Sequence, residues 1–138
     1  MKLSTRSRYG TRLMVDLAQH YNEGPVRLSD ISSRQDISVK YLEQLIIPLK
    51  KSRLVRSVRG PKGGHMLALP PETITVADIV RVLEGRLDLT RCIEDPSSCE
   101  RSSTCLTRSL WEKATKAMIC ELEAITLEDM AKSGQRLE

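Results

Sequence analysis

Ser38-Val39-Lys40-Tyr41-Leu42-Glu43-Gln44-Leu45-Ile46-Ile47-Pro48-Leu49-Lys50-Lys51 is the stretch that decides how this chain folds. Ser38 supplies the side-chain oxygen that an N-cap needs to accept a free backbone N–H. Val39, Leu42, Leu45, Ile46 and Leu49 then recur at the three- and four-residue spacing of a helix that buries one face. Ser38, Lys40, Tyr41, Glu43 and Gln44 fall on the other side, where they are free to meet a partner. Pro48 lies inside the pattern and is expected to bend or loosen the last turns.

Working outward toward the N-terminus, Thr5 to Tyr21 shows helical spacing of Leu13, Leu17, Met14 and Ala18, closed by Asn22-Glu23-Gly24-Pro25. Leu28 to Arg34 is a short second helix with Leu28 and Ile31 inward, joined to the third by the tight Gln35-Asp36-Ile37 connection. Toward the C-terminus, Leu54 to Val58 and His65 to Leu69 are short aliphatic runs. They are separated by Arg59-Gly60-Pro61-Lys62-Gly63-Gly64, which makes a hairpin with a glycine-rich basic tip. Helix, short helix, turn, helix and hairpin is the order of a winged helix-turn-helix, so the fold class is mainly α with a small β-hairpin wing. A helix of this kind fits the DNA major groove while its neighbour braces it on the backbone. Gln44 suits adenine, Glu43 suits the amino group of cytosine, and Ser38 and Tyr41 suit phosphates or bases. At the tip, Gly63 and Gly64 let the backbone come close to a phosphate, and Arg59 and Lys62 bring the charge.

Beyond Pro70-Pro71, Thr75 to Asp78 forms a capping box that opens a helix with Ile79, Val80, Val82 and Leu83 inward and Gly85 as its stop. Residues 86–105 read as a loop without periodicity, and a loop of that length needs a functional or stabilising reason. A long amphipathic helix from Leu106 to Ala124 follows, with Leu110, Trp111, Met118 and Leu122 among its apolar positions. Thr126 to Asp129 repeats the capping box before a last short helix. The expected organisation is a DNA-binding domain over 1–72 and a helical sensor and dimerisation region over 73–138, with its cysteine loop at 86–105.

Composition agrees. The 138 residues carry a net charge of +4, but the charge is uneven. Residues 1–70 hold 13 Lys and Arg against 5 Asp and Glu, and residues 71–138 hold 9 against 13. A basic half joined to an acidic one fits a polyanion-binding module with a separate sensing or assembly module. No run of apolar residues is long enough to span a bilayer, and the basic N-terminus lacks the apolar core of a signal peptide. A cytoplasmic location with reduced thiols is therefore expected. With no phosphate-binding loop ahead of a helix, no nucleophile elbow and two histidines, the chain is not expected to be an enzyme.

Cys92, Cys99 and Cys105 stand within 14 residues, in polar, serine-rich surroundings. Three thiols on one loop suit an iron–sulfur cluster, since sulfide-bridged iron takes soft thiolate ligands. The spacing lacks the Cys-x-x-Cys knuckle usual for zinc. On the residues alone, iron–sulfur, zinc, thiol redox chemistry and no shared chemistry all stay open. Cys120, within Ala117-Met118-Ile119-Cys120, is expected to be a small buried hydrophobe, and Trp111 a packing anchor beneath the loop.

Met1 to Gly10, Ile37 to Leu45, Leu54 to Gly64, Ile74 to Ile79 and Leu110 to Glu112 together resemble the Rrf-type winged-helix regulators, the family of IscR, NsrR, RirA and CymR. The resemblance runs from residue 1 to about residue 130. It implies a homodimer joined along the helix near 106–124 and a partly palindromic double-stranded DNA operator. It also implies DNA reading by the helix at Ser38 to Gln44 and the wing at Arg59 to Gly64. Cys92, Cys99 and Cys105 match the three cysteines on which IscR, NsrR and RirA carry an iron–sulfur cluster, 2Fe–2S or 4Fe–4S. The departure is the fourth ligand. IscR-like chains have a histidine two residues past the third cysteine, where this chain has Thr107. NsrR-like chains use an N-terminal acid of the other subunit, and the nearby residue here is Arg8. Glu94, Asp95, Glu100, a water or a small thiol are the candidates left. The rival readings are a metal-free thiol redox sensor and a regulator controlled by a partner protein.

Overall fold

A computed structural model describes residues 2–133. Helices α1 (Thr5–Gln19), α2 (Leu28–Gln35) and α3 (Val39–Lys51) are followed by a hairpin of β1 (Val55–Val58) and β2 (Gly64–Leu67). A 3₁₀ turn at Pro71–Thr73 leads into α4 (Val76–Glu84). Then come a single helical turn, α5 (Arg91–Glu94), a second 3₁₀ turn at Pro96–Ser98, the long α6 (Arg108–Ala124) and α7 (Leu127–Ser133). This is a winged helix-turn-helix, mostly helical, with one two-stranded antiparallel sheet.

Polar side chains set the helix starts. Ser38 Oγ accepts the Tyr41 N–H at 3.2 Å and starts α3. Thr75 and Asp78 satisfy each other's backbone N–H groups at 2.9 and 3.1 Å, and Thr126 and Asp129 do the same at 3.0 and 3.1 Å. Between α2 and α3, Asp36 takes a left-handed conformation at φ 54°, which reverses the chain within two residues. Aspartate tolerates that region better than most side chains.

One apolar core joins the elements. Leu13, Met14 and Leu17 of α1 meet Ile31 of α2, Leu42, Leu45 and Leu49 of α3, and Ile74, Ile79, Leu83 and Leu127 from the second half. The C-terminal segment returns to close it. Leu127 N–H donates to Ile74 and Val76 N–H to Ile125, each at 2.9 Å, which pins the start of α7 beside the start of α4 and lays α7 on α1.

Three expectations are corrected. Val39 is 37% exposed, because it is the first residue of α3 and precedes the packed stripe. The long helix starts at Arg108, leaving Leu106 outside it and 93% exposed. The 86–105 segment contains the α5 turn and a 3₁₀ turn, short elements that apolar periodicity does not announce. Pro48, by contrast, does not end α3, which runs on to Lys51. Proline removes the N–H that would reach the carbonyl of Gln44, and Gln44 lies on the solvent face, where water can replace it.

A buried ion pair locks α2 onto α1. Asp16 is fully buried, and Arg34 grips it with two parallel bonds, Nε to Oδ2 at 3.0 Å and Nη2 to Oδ1 at 2.7 Å. Gln35 Nε2 adds a third at 3.1 Å. Burial pushes the carboxyl pKa up, but the bonds from Arg34 and Gln35 and the Arg34 charge outweigh it and hold the pKa below its ordinary value. A carboxylate depressed in the folded state stabilises it above the unfolded-state pKa, and that contribution is lost as pH falls through the folded value. Asp16→Ala is expected to cost about 3 kcal/mol at neutral pH, the low end for a broken buried pair, since Arg34 is 38% exposed and recovers water. Urea unfolding at neutral pH and at about pH 2–3, below the ordinary carboxylate pKa, checks this, and the variant's stability should depend less on acid than that of the parent.

Candidate nucleic-acid interface

The exposed side of α3 begins at its cap. Ser38, Lys40, Glu43 and Gln44 are exposed, while Leu42, Leu45, Ile46 and Leu49 anchor the helix from below. Tyr41 is different. It is half-buried, with its ring edge-on to Tyr9 of α1 at 5.9 Å, so much of its surface supports α3. The Arg12 guanidinium lies 5.2 Å from the Tyr9 ring centre and completes the stack.

The wing is held at its base by a backbone ladder. Val26, just before α2, exchanges two hydrogen bonds of 2.8 Å with His65 of β2 and so acts as a third strand position beside the hairpin. This contact explains Gly64: a Cβ there would sit 2.5 Å from the Val26 carbonyl oxygen. A Cβ on Gly63 would lie 2.1 Å from the Val58 carbonyl oxygen, so neither glycine can carry a side chain without opening the turn. The Arg27 side chain donates to the Pro61 carbonyl and ties the tip to the start of α2. Arg59 and Lys62 are exposed at that tip and make no ion pair among the described residues. His65 faces inward, its Nδ1 buried without a partner, and burial together with the Lys50 charge lowers its pKa.

The three loop cysteines are all free thiols. Cys92 lies on α5, with its Sγ 3.2 Å from the Thr90 hydroxyl, and its carbonyl accepts Arg108 Nε and Nη2 at 3.4 and 3.3 Å. Cys99 is exposed after the second 3₁₀ turn. Cys105 lies before α6 with its Sγ 3.2 Å from the Thr107 hydroxyl. The Thr107 hydroxyl, then the Thr107 and Arg108 backbone N–H groups at the helix start, then Arg101 lower the Cys105 pKa. By chemistry the donor set suits a thiolate-bound cluster. By position it is not assembled: among the described residues no three His, Cys, Asp or Glu side chains stand close enough to share a metal. Of the candidate fourth ligands, Glu94 is paired with Arg86 at 2.7 Å and Asp95 accepts from Ser97, while Glu100 is exposed. His20 is occupied at the end of α1, its Nδ1 2.8 Å from the Asp16 carbonyl oxygen.

Two expectations along α6 are corrected. Cys120 is exposed, because it stands about 100° around the helix from Ile119 and leaves the packed stripe. Trp111 is 40% exposed and does not form a buried anchor under the loop. Among the described residues only Thr115 of this helix is fully buried, and its hydroxyl accepts the Leu89 N–H at 3.2 Å. Leu110, 54% exposed, adds to an apolar outer face.

Sequence reasoning missed the part α1 plays. Arg6 lines a shallow cleft with Tyr41, Gln44 and Leu45, and Thr5 and Tyr9 line a second hollow with Asp36, Ile37, Ser38 and Tyr41. The signal was available in the basic Met1 to Tyr9 segment, but nothing in the sequence places that segment against the third helix.

A helix with a polar outer face beside a basic, glycine-tipped wing defines a DNA-binding transcriptional regulator. The profile of the Rrf2 family, described as an iron-dependent transcriptional regulator, matches residues 3–133. The chain is 47% identical over 134 residues to protein rrf2 of Nitratidesulfovibrio vulgaris Hildenborough, covering 97% of this chain and 89% of the relative. It is 41% identical to the HTH-type transcriptional regulator IscR of Xenorhabdus nematophila, covering 100% and 84%. Among solved structures, CymR of B. subtilis, the global cysteine regulator, superposes with a TM-score of 0.81 at 40% identity, covering 96% and 97%. IscR of T. potens does so with 0.81 at 44%, covering 100% and 93%. The chain belongs to the Rrf2 family; its relatives are transcriptional regulators and not enzymes.

The thiol geometry gives a direct check. In metal-free, fully reduced protein, iodoacetamide at neutral pH should alkylate Cys105 before Cys99, although Cys99 is the more exposed. Peptide mass spectrometry over a time course reads the order, and the reverse order would show that exposure governs reactivity.

Proposed function

We propose that this protein is a homodimeric regulator that reads a partly palindromic operator in the cytoplasm and responds to its signal through an iron–sulfur cluster on Cys92, Cys99 and Cys105. The observation that carries the DNA reading is the exposed row on α3 beside the free wing-tip charges. Ser38, Lys40, Glu43 and Gln44, with the edge of Tyr41, enter the major groove. Arg59, Lys62, Gly63 and Gly64 meet the backbone and the adjacent minor groove. Two copies related by a two-fold axis then engage half-sites about one helical turn apart. The outer face of α6 supports the dimer: Leu110 and Trp111 are exposed apolar side chains on a helix whose inner side is only lightly buried, and Leu106 is exposed just ahead of it. No helix among the described residues is long and apolar enough to cross a membrane.

The cluster is supported by the donor type, by the polar loop that carries it and by the family's description as iron-dependent. Ligation requires the loop to draw its three thiols together, and that movement lies between α4 and α6. A cluster that stabilises one loop arrangement over another shifts operator affinity by that difference. The lowered pKa of Cys105 and the unassembled thiols favour one second reading, a metal-free thiol sensor; a solved relative at 38% identity is the oxidised form of Staphylococcus aureus CymR.

Anaerobic purification followed by absorption spectroscopy, iron and sulfide assays, and duplex binding separates these readings. The expected result is broad visible absorption with matching iron and sulfide, abolished by Cys92→Ala, Cys99→Ala or Cys105→Ala. Gln44→Ala and Arg59→Ala should weaken selective duplex binding, each by about 1–3 kcal/mol where a base contact is lost. Leu110→Glu should turn a dimer into a monomer in sedimentation. A colourless, iron-free protein that still binds its operator selectively would overturn the cluster and leave the thiol sensor.

A further inference from the structure

We infer that Arg6, on the first turn of α1, is a phosphate clamp beside the recognition helix, so that the DNA-reading surface has two lips, α1 and α3. The inference rests on the reading of α3 as the recognition helix.

Three observations carry it. First, Arg6 and Gln44 line the same cleft, together with Tyr41 and Leu45. A side chain across a cleft from a base-reading position on α3 faces the phosphate ridge that bounds the major groove, not the base edges on its floor. Second, Arg6 is exposed and makes no ion pair or hydrogen bond among the described residues, so its charge is available. Third, the turn that carries it is held from both sides. The edge-on Tyr9–Tyr41 contact at 5.9 Å fixes α1 against α3. From behind, the Glu84 carboxylate of α4 accepts the Ser4 N–H at 2.6 Å and the Ser7 hydroxyl at 3.0 Å. A clamp on a rigid turn sets the register of the protein on the duplex without carrying sequence information. Lys2 and Arg8 add positive charge on the same segment, while Asp36, in the neighbouring hollow, and Glu43 on α3 are the acids nearby.

Hydrogen bonds from Ser4 and then Ser7 hold the Glu84 carboxyl below its ordinary range, and the Arg6 charge adds a smaller part, so a purely structural role is the rival. Salt dependence distinguishes the two, because a phosphate contact releases counterions and a structural contact does not. The intact protein is titrated at several salt concentrations with a short duplex recovered by in-vitro selection on that protein, and with a random duplex of equal length. Arg6→Ala should make the slope of log affinity against log salt shallower by about 0.9 for each Arg6 engaged. It should weaken binding to both duplexes by a similar factor, and Arg6→Lys should keep the parent slope. An unchanged slope in Arg6→Ala, or a loss confined to the selected duplex, would overturn the clamp. Gln44→Ala, in the same series, should lower the ratio of selected to random binding and leave the slope alone. If that ratio does not move, the reading of α3 fails and the clamp fails with it.

Discussion

The buried Asp16 carboxylate is the constraint on which the placement of α3, the proposed DNA-reading helix, depends. It lies inside α1, but its partners, Arg34 and Gln35, close the last turn of α2. Immediately after that turn, Asp36 reverses the chain and Ser38 starts α3. The direction in which α3 leaves the core is thus set within three residues of a charged, geometrically specific lock. A hydrophobic contact in that place would resist separation but would tolerate rotation. The two-pronged Arg34 bond does not, since both nitrogens must stay in the carboxylate plane. Arg12 extends the lock by donating from α1 to the Gln35 side chain and carbonyl.

The same helix carries the second half of the architecture. Its N-terminal turn is tied to Glu84, the last residue of α4, and Gly85 follows as the start of the segment that holds Cys92, Cys99 and Cys105. The Gly10 position shows how close α1 and α4 run, because a Cβ there would overlap the Leu83 side chain at 2.1 Å. α1 therefore touches the end of α4 at one point and α3 at another, less than two helical turns apart. The chain that leads into the cysteine loop and the helix proposed to read DNA share a single rigid neighbour.

How much of this was legible in the sequence follows from the range of each interaction. Ser38, the Thr75–Asp78 box and the Thr126–Asp129 box act over three residues, so the helix starts were visible. Glycines around Arg59 and Lys62 announced a hairpin, but the reason for Gly64, its approach to Val26, is a contact across the fold. An aspartate in the apolar stripe of the first helix gave no hint of burial, since its partners come eighteen and nineteen residues later. Cys120 misled for the opposite reason: its apolar neighbours suggest a core, but helical geometry turns it away from them. The three loop cysteines were recognisable by spacing and by resemblance, whereas their separation is a property of the loop's turns.

That separation bears on the sensing role proposed for the loop. A preassembled site binds its metal with little reorganisation and changes little when the metal leaves. Here Cys92 is held by its carbonyl to Arg108 at the start of α6, while Cys105 rests against Thr107 just before that helix. Cys99 follows the 3₁₀ turn at Pro96–Ser98 and opens a further turn in which its carbonyl accepts the Ser102 N–H, and the three thiols do not stand together among the described residues. A ligand that must reorganise a segment discriminates between two arrangements of that segment, and only a ligand with such a difference in affinity can move an equilibrium. Under the proposed cluster reading, thiols that have to be gathered give the cluster two loop arrangements to choose between, as a preassembled site would not.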